Sequence, residues 1–421
     1  MQVGVVGCGV AGQAAAIFLA EAGHDVTIFE RFAEPRPLGA GLLLQPTGLA
    51  VLAALGLAGG ALAGGGKVVG LEARTARGRT VLDLSYADLH PRTHGLGIRR
   101  SVLFDLLHGR LKRTPARLVA GCEIVDVVRE HGKGVVIDRD QERHGPFDMV
   151  VVADGAHSAV RRRLMPDAHD RLYPWGCVWA TAPDSVGLGA AGRLRQRVRG
   201  TRLMLGFLPV GHGQLTIYWS LPRAALAPDV PLDVAAIRRN AAALWPEATR
   251  VLSSAGDFSR ATYRNVVLPR WNDGPILFIG DAAHGTSPQL GQGANLGLVD
   301  AWTLAQALAT TGQVASAIAL FAERREATVR FYRQASHLLT PLFQSDAAPL
   351  GWLRDGFAGW ACRLPIARGL ATSTLAGTRT GWLSAAKLDD DGRYRLQIPG
   401  SSSLGGPRQR GPAAGRDAEP R

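Results

Sequence analysis

The 421-residue sequence predicts an α/β protein: a Rossmann-like dinucleotide-binding domain, interrupted by an inserted, mainly antiparallel β-sheet domain and followed by C-terminal helices. Three features predict it. Residues 3–30 read as strand, glycine loop, helix and strand. Two further apolar strands, 149–153 and 276–279, run into Asp154-Gly155 and Gly280-Asp281. Between them, residues 170–268 lose the helical period and fall into short alternating runs.

Val3, Val5 and Val6 form a short apolar strand, followed by Gly7-x-Gly9-x-x-Gly12. In a nucleotide turn of this form Gly7 permits the tight turn. Gly9 lets backbone approach a pyrophosphate, and Gly12 lets helix and strand pack closely. Residues 14–22 are rich in alanine and other helix formers, and Gly23 stops them. The helix N-terminus offers free N–H groups and partial positive charge to phosphates. Residues 26–29 give the second strand. Glu30 closes it about 20 residues on, where a carboxylate accepts hydrogen bonds from a ribose.

A loop over 32–38, with Pro35 and Pro37, leads to Gly39-Ala40-Gly41 and Leu42-Leu43-Leu44, then a helix from Pro46 to Leu55. Residues 67–83 suggest a hairpin. Residues 98–113 read as a helix with Leu103, Leu106, Leu107 and Leu111 on one face. Arg99 and Arg100 at its start oppose the helix dipole, which points to a nearby anion or to a solvated pair. Strands near 117–128 and 134–138 precede 149–153, whose carboxyl end delivers Asp154 and Gly155 to the place where parallel sheets bind ligands. In the insert, Trp175, Trp179, Tyr218 and Trp219 are candidates for an apolar pocket. Arg193, Arg195, Arg197 and Arg199 recur with period two and share a strand face, either solvated or a cationic wall. After a helix at 233–245, the chain returns to α/β. Helices follow over 295–308 and 314–333, then shorter pieces over 337–388 broken by Pro341, Pro349 and Pro365. The expected division is 1–169 and 270–340 for the nucleotide-binding domain, 170–269 for the insert and 341–398 for a helical region. Residues 399–421, rich in Gly, Ser, Pro and Arg, read as a disordered tail.

Hydrophobic residues make up 46% of the chain and mean hydropathy is +0.04, as in globular proteins. The apolar run 3–22 lacks the positive start of a signal peptide, and no stretch suits a spanning helix. Cys8, Cys122, Cys177 and Cys362 are scattered without metal-type spacing, so no metal is expected and a reduced, cytoplasmic setting is. A net charge of +13 suits anionic cofactors or an anionic membrane surface. The arginines are dispersed and no nucleic-acid motif is present, so nucleic acid is not an expected partner.

Taken together, Gly7-x-Gly9-x-x-Gly12 with Glu30, Ala153-Asp154-Gly155-Ala156-His157-Ser158, and Gly280-Asp281-Ala282-Ala283-His284 followed by Gly291-Gln292-Gly293-Ala294-Asn295 resemble the FAD-dependent aromatic hydroxylases of the p-hydroxybenzoate hydroxylase fold. The likeness spans about residues 1–385. Leu338-Leu339-Thr340-Pro341-Leu342-Phe343-Gln344-Ser345-Asp346 looks like the ubiquinone-biosynthesis branch. The resemblance implies that Gly7, Gly9 and Gly12 hold the FAD pyrophosphate, Glu30 the adenosine ribose, and that Arg31 lies beside the adenine. Arg100 would approach the ribityl-phosphate region and Asp281 the ribityl chain, with Asp154 and Gly155 tied to both FAD and the pyridine nucleotide. Gly293, Ala294 and Asn295 would offer backbone N–H groups to the flavin ring, and Pro288 would lie beside its reacting edge. Gly285 and Ser287 stand where relatives often carry proline, a departure that bears on the rigidity of this loop.

The implied activity is a monooxygenase using NADPH or NADH and O2 to hydroxylate an aromatic or quinone-like molecule through a flavin hydroperoxide, with no universal general base. His284 belongs to the motif loop and reads as structural. Alternatives on the same fold are a reductase and a halogenase, though the halogenase Trp-x-Trp-x-Ile-Pro motif is absent. A third is a non-catalytic flavin-bound membrane-surface or assembly protein. Helices within 338–388 mix Leu, Trp and Phe with Arg, which suits peripheral contact at the inner membrane surface, core packing or a dimer face. Monomer and homodimer both stay open, as does the choice of NADH or NADPH.

Overall fold

The computed structural model describes residues 1–37 and 39–396. The tail expected at 399–421 lies outside them.

The nucleotide-binding framework is a six-stranded sheet. Its order is Asn272–Asp273, Ile276–Phe278, Met149–Val152, Gln2–Val6, Asp25–Glu30 and Arg117–Ala120. Every pairing is parallel except the short edge Asn272–Asp273. Val150, Val151, Val152, Ile276, Leu277 and Phe278 are fully buried, because both faces of a parallel sheet are covered. Helices Val10–Glu21, Arg100–Leu111 and Gly293–Thr311 pack on one face. An antiparallel meander, Ile124–Glu130, Lys133–Asp138 and Arg143–Phe147, covers the other. Helix Val10–Glu21 ends as its sequence dictates: Gly23, at φ +84°, lets its own N–H and that of His24 close onto the carbonyls of Ala20 and Leu19.

The insert is a seven-stranded sheet in the order Ser259–Val267, His169–Pro183, Gln214–Pro222, Leu203–Pro209, Arg193–Arg199, Gly70–Thr75 and Thr80–Ser85. Its last two strands come from the first segment of the chain. Gly70–Thr75 joins it in parallel to Arg193–Arg199, and the other pairs are antiparallel. One face packs under helix Val234–Leu244, with Phe207, Ile217, Trp219 and Trp245. The other face presents Cys177, Met204, Leu208 and Tyr218 toward Leu43, Phe343 and Leu375. This second face, here the front, meets the nucleotide-binding framework.

The sequence places a helix end near Arg333 and a break at Pro341. Instead helix Val314–Phe343 runs unbroken for 30 residues with Pro341 inside it. Pro341 lies in the last turn, so few helical hydrogen bonds are lost. The turn is also clasped from outside: Ser345 Oγ donates to the Pro341 carbonyl (2.7 Å) and Arg354 Nη1 to the Leu342 carbonyl (2.7 Å). Helices Ala348–Ala361 and Pro365–Leu375 follow. Among the described residues no helix is long and apolar enough to cross a membrane.

Candidate active site

Two helix N-termini converge at the carboxyl end of the parallel sheet. A methyl group built on Gly280 would sit 3.1 Å from Ala11 Cβ and 3.8 Å from Gly297 Cα. Helices Val10–Glu21 and Gly293–Thr311 therefore start side by side, and their free N–H groups and dipoles favour an anion. The glycine turn is built for close approach. A Cβ on Gly12 would lie 1.9 Å from the Gly7 carbonyl oxygen, so only glycine fits. A Cβ on Gly9 would meet no protein atom within 4 Å, which leaves open ground over the helix start. Glu30 is half-buried at the end of its strand; its carboxylate accepts from the N–H groups of Cys8 (2.9 Å) and Phe32 (3.1 Å). Arg31 is exposed beside it, its guanidinium 4.7 Å from the Phe32 ring centre.

Directly beside the glycine turn, Asp154 and Gly155 follow strand Met149–Val152; a methyl on Gly7 would lie 2.8 Å from Asp154 Cα. Asp154 Oδ1 is buried without a hydrogen-bond partner. Burial raises this carboxyl to about 6, against the opposing pull of Ser158 and Arg161. Arg100 opens helix Arg100–Leu111. It keeps solvent access, but the protein packed around it lowers its pKa while the charge of Asp281 acts the other way. Asp281 in turn lies by the other helix start, where a methyl on Gly293 would be 3.4 Å from its Oδ1. These groups fit FAD: open ground over Gly9 beside two helix N-termini, an unpaired buried carboxylate oxygen on Asp154, and Arg100 within electrostatic reach of Asp281.

The loop before Gly293 is fixed from three sides. Asn295 accepts from Gln45 N (2.8 Å) and donates to the carbonyls of Leu43 (3.1 Å) and Gly291 (3.0 Å). Its side chain is thus spent on holding the loop, which leaves the backbone of Gly293, Ala294 and Asn295 to face a ligand. Gln292 donates to the carbonyls of Thr374 (3.2 Å) and Leu375 (2.8 Å), tying the loop to the last helix. Ser287 bonds Ser336 (2.9 Å) and Thr340 (2.6 Å), so this point of the loop is braced by hydroxyls. Pro288 starts the turn Pro288–Leu290.

The front face of the insert closes the site. Tyr218 and Trp179 pack edge to face, centres 4.9 Å apart. Tyr263 donates to Cys177 Sγ (2.6 Å), and both lie within electrostatic reach of Arg100. The Tyr218 hydroxyl is buried without a hydrogen-bond partner, beside Tyr263 and Gln289. Arg100 is thus within electrostatic reach of Asp281, Cys177 and Tyr263, and Tyr263 adjoins Tyr218, which packs on Trp179.

Trp219 faces the other way: its neighbour Tyr218 takes the front, and adjacent strand residues alternate. Trp175 stands at a register irregularity between Leu172 and Gly176. With Trp219, Leu221, Pro222 and Ile237 it lines a separate cleft of about 330 Å3 under helix Val234–Leu244. The arginine strand also points to that back side. Arg195 and Arg197 lie 5.2 and 4.5 Å from the Trp245 ring centre and 3.8 and 3.7 Å from Glu72, and Arg193 pairs with Asp83. The four arginines are not a wall of the flavin cleft, because Phe207 and Leu205, their cross-strand partners, belong to the back core.

Sequence reasoning missed the support beneath the motif loop. Asp300 accepts from Gly280 N (2.9 Å), His284 Nε2 (2.6 Å) and Arg325 Nε (2.7 Å), all buried. Burial would push Asp300 up, but His284 and Arg325 hold it down at about 2. It missed Tyr263 and Gln45 too; only an alternating strand and a Gln-Pro helix start marked them.

The model of the FAD binding domain matches residues 1–330. The chain is 28% identical over 361 residues to the 2-heptyl-3-hydroxy-4(1H)-quinolone synthase of Pseudomonas aeruginosa, covering 84% of this chain and 93% of that one. It is 31% identical over 328 residues to the 3-amino-4-hydroxybenzoate 2-monooxygenase of Streptomyces cremeus, covering 72% and 77%. Its fold matches the crystal structure of Klebsiella pneumoniae HpxO complexed with FAD and uric acid, with a TM-score of 0.77 at 19% identity over 91% of this chain and 98% of that one. The chain belongs to the FAD binding domain family and is an FAD-dependent monooxygenase of the p-hydroxybenzoate hydroxylase fold.

Proposed function

We propose that the enzyme hydroxylates a flat aromatic ring bearing nitrogen and oxygen substituents, with NADH or NADPH as reductant. The ring would bind between the 288–295 loop and the front of the inserted sheet. The supporting observation is the buried Tyr218 hydroxyl, which has Tyr263 and Gln289 beside it but makes no close hydrogen bond to either, and so can turn to a ligand. Two relatives support the class, being named for a quinolone and for an aminohydroxybenzoate. FAD held by these residues would supply the redox chemistry, hydride acceptance from the nicotinamide and transfer of one oxygen atom from O2.

The chain's own residues supply position and dryness. Burial holds Tyr218 well above the ordinary phenol range, so it stays protonated and donates to a ring oxygen. Trp179 and Tyr263 wall the pocket and exclude water. The start of helix Gly293–Thr311 stabilises negative charge on the flavin ring. The test is NAD(P)H turnover with quinolones, aminobenzoates and phenols under isotopically labelled O2. Label in the hydroxylated product supports the reading. Product formed without O2, as a reductase would give, or labelled from water, overturns it.

A second proposal concerns the last helices. Helix Ala348–Ala361 packs through glycine: a methyl on Gly351 would lie 3.1 Å from Gly200 Cα, and one on Gly359 would lie 2.3 Å from the Thr80 carbonyl oxygen. Its large apolar residues point outward, with Trp352 76%, Phe357 61% and Trp360 61% exposed, and Ile366 on the next helix 89% exposed. A surface helix of a globular protein does the reverse. Exposed Arg363 and the net charge of +13 favour an anionic lipid surface as the occupant. Co-sedimentation with anionic vesicles, lost in a Trp352→Ser/Trp360→Ser variant, supports this. No binding at low salt ends it.

A further inference from the structure

Away from the flavin cleft, one cluster on the meander converges on a point. Cys122 follows strand Arg117–Ala120, Asp138 ends Lys133–Asp138, and His144 lies on Arg143–Phe147. Cys122 Sγ is 3.6 Å from Asp138 Oδ2 and 3.7 Å from His144 Nε2; Nε2 is 2.9 Å from the same Oδ2. We propose that Cys122, Asp138 and His144 bind a single divalent cation of zinc type, with water in the fourth position.

The triangle has the right size. With Zn–S about 2.3 Å and Zn–N or Zn–O about 2.0–2.1 Å, a tetrahedron sets its S···N and S···O edges at about 3.6 Å and its N···O edge at about 3.4 Å. Both sulfur edges match, and the third needs to open by about 0.5 Å. A nucleophile relay would be built differently. There the imidazole bonds thiol and carboxylate through opposite ring nitrogens. Here Nε2 faces both, so the groups converge rather than relay.

The donors are also oriented from behind. Asp138 Oδ1 is occupied by the N–H groups of Asp140 (3.0 Å) and Glu142 (2.9 Å), which leaves Oδ2 for an ion. Phe29 packs against the His144 ring, centres 5.2 Å apart. The N–H of Cys122 donates to the Glu30 carbonyl (2.9 Å). Cys122 and His144 are partly exposed, so an ion has access. Sulfur, nitrogen and a single carboxylate favour zinc over magnesium or calcium. One thiolate and one carboxylate balance the two charges. Binding releases the thiol proton to solvent and changes no oxidation state. The ligands come from one inter-strand loop and two strands, which is why cysteine spacing gave no sign of them.

Such an ion would pin the end of the nucleotide sheet to the meander, so its effect is on stability rather than turnover. The test uses the FAD-loaded full chain, stripped with a chelator and titrated with Co2+. The expected result is one equivalent bound, with tetrahedral visible bands beyond the absorption of oxidised flavin, displaced by Zn2+, and a higher Tm with Zn2+. Cys122→Ser and His144→Gln, each retaining FAD, bind at least about tenfold more weakly. Cys362→Ser titrates like wild type. Absence of the bands in wild type, unchanged titration in Cys122→Ser and His144→Gln, or loss in Cys362→Ser would overturn the proposal.

Discussion

Gly9 and Gly12 separate two reasons for a glycine in the same loop. Gly12 is needed by the protein itself. A methyl group there would stand 1.9 Å from the Gly7 carbonyl oxygen, about 1.5 Å inside ordinary contact, and both partners are backbone that no side-chain rotation relieves. The cost belongs at the upper end of overpacking, about 3 kcal/mol. At about 1 °C per kcal/mol for a chain of this size, Gly12→Ala apoprotein should melt about 3 °C lower. Gly9 has no protein neighbour within 4 Å, and its φ of −77° suits alanine. Gly9→Ala should cost the apoprotein no more than about 1 kcal/mol, through a poorer helix cap. FAD, however, meets the new methyl where its pyrophosphate approaches the helix. Affinity should fall at least about tenfold, or about 1.4 kcal/mol. Apoprotein melting and FAD fluorescence quenching measure both quantities on one sample. Unchanged FAD affinity in Gly9→Ala would refute the approach of pyrophosphate to this turn.

The remaining predictions concern charge and the front face. The Asp154 pKa is raised in the folded state to about 6, so the folded apoprotein binds the proton more tightly than the unfolded chain. Its burial therefore costs stability as pH rises from about 4 through 6. Asp154→Asn apoprotein should be more stable than wild type above pH 6 and equal to it near pH 4, by denaturant titration, while binding FAD more weakly. Asp300 is depressed to about 2, so its contribution is present above the unfolded value near 4 and is lost as pH falls toward 2. Asp300→Asn leaves Arg325 buried without its counter-charge and should cost about 3–5 kcal/mol at neutral pH, with FAD loss as Gly280 shifts. Tyr218→Phe removes an unpartnered hydroxyl, so stability should hold while KM for the aromatic substrate rises about fivefold to tenfold. Trp219→Ala, on the back of the same strand, should instead destabilise by about 3–5 kcal/mol and leave the KM of the surviving folded enzyme unchanged.

Local pattern made the framework legible. Val3 to Glu30 and the two strands ending in Asp154 and Asp281 each combine apolar run, glycine and acid within a few residues, and each lies where the sequence puts it. The cleft was legible to the extent that its parts are sequence motifs. Long-range partners were not. Nothing local says that Asn295 would hold Gln45, 250 residues away, or that Arg325 would reach back to Asp300. The faces of the inserted sheet were hidden for a different reason. Tyr218 and Trp219 are both aromatic and buried, and only the packing of helix Val234–Leu244 decides which of them looks at the flavin cleft. The run through Pro341 and the joining of Gly70–Thr75 to the insert are likewise products of tertiary clasping and of parallel pairing across more than a hundred residues.

The most direct test is flavin reduction under anaerobic conditions by NADPH and by NADH, with and without candidate rings, followed by admission of O2. The account predicts that one nucleotide reduces the bound flavin, that a nitrogen- and oxygen-substituted ring speeds the step, and that this ring leaves hydroxylated once O2 enters. FAD-loaded protein that neither nucleotide reduces, with any ring present, would contradict it.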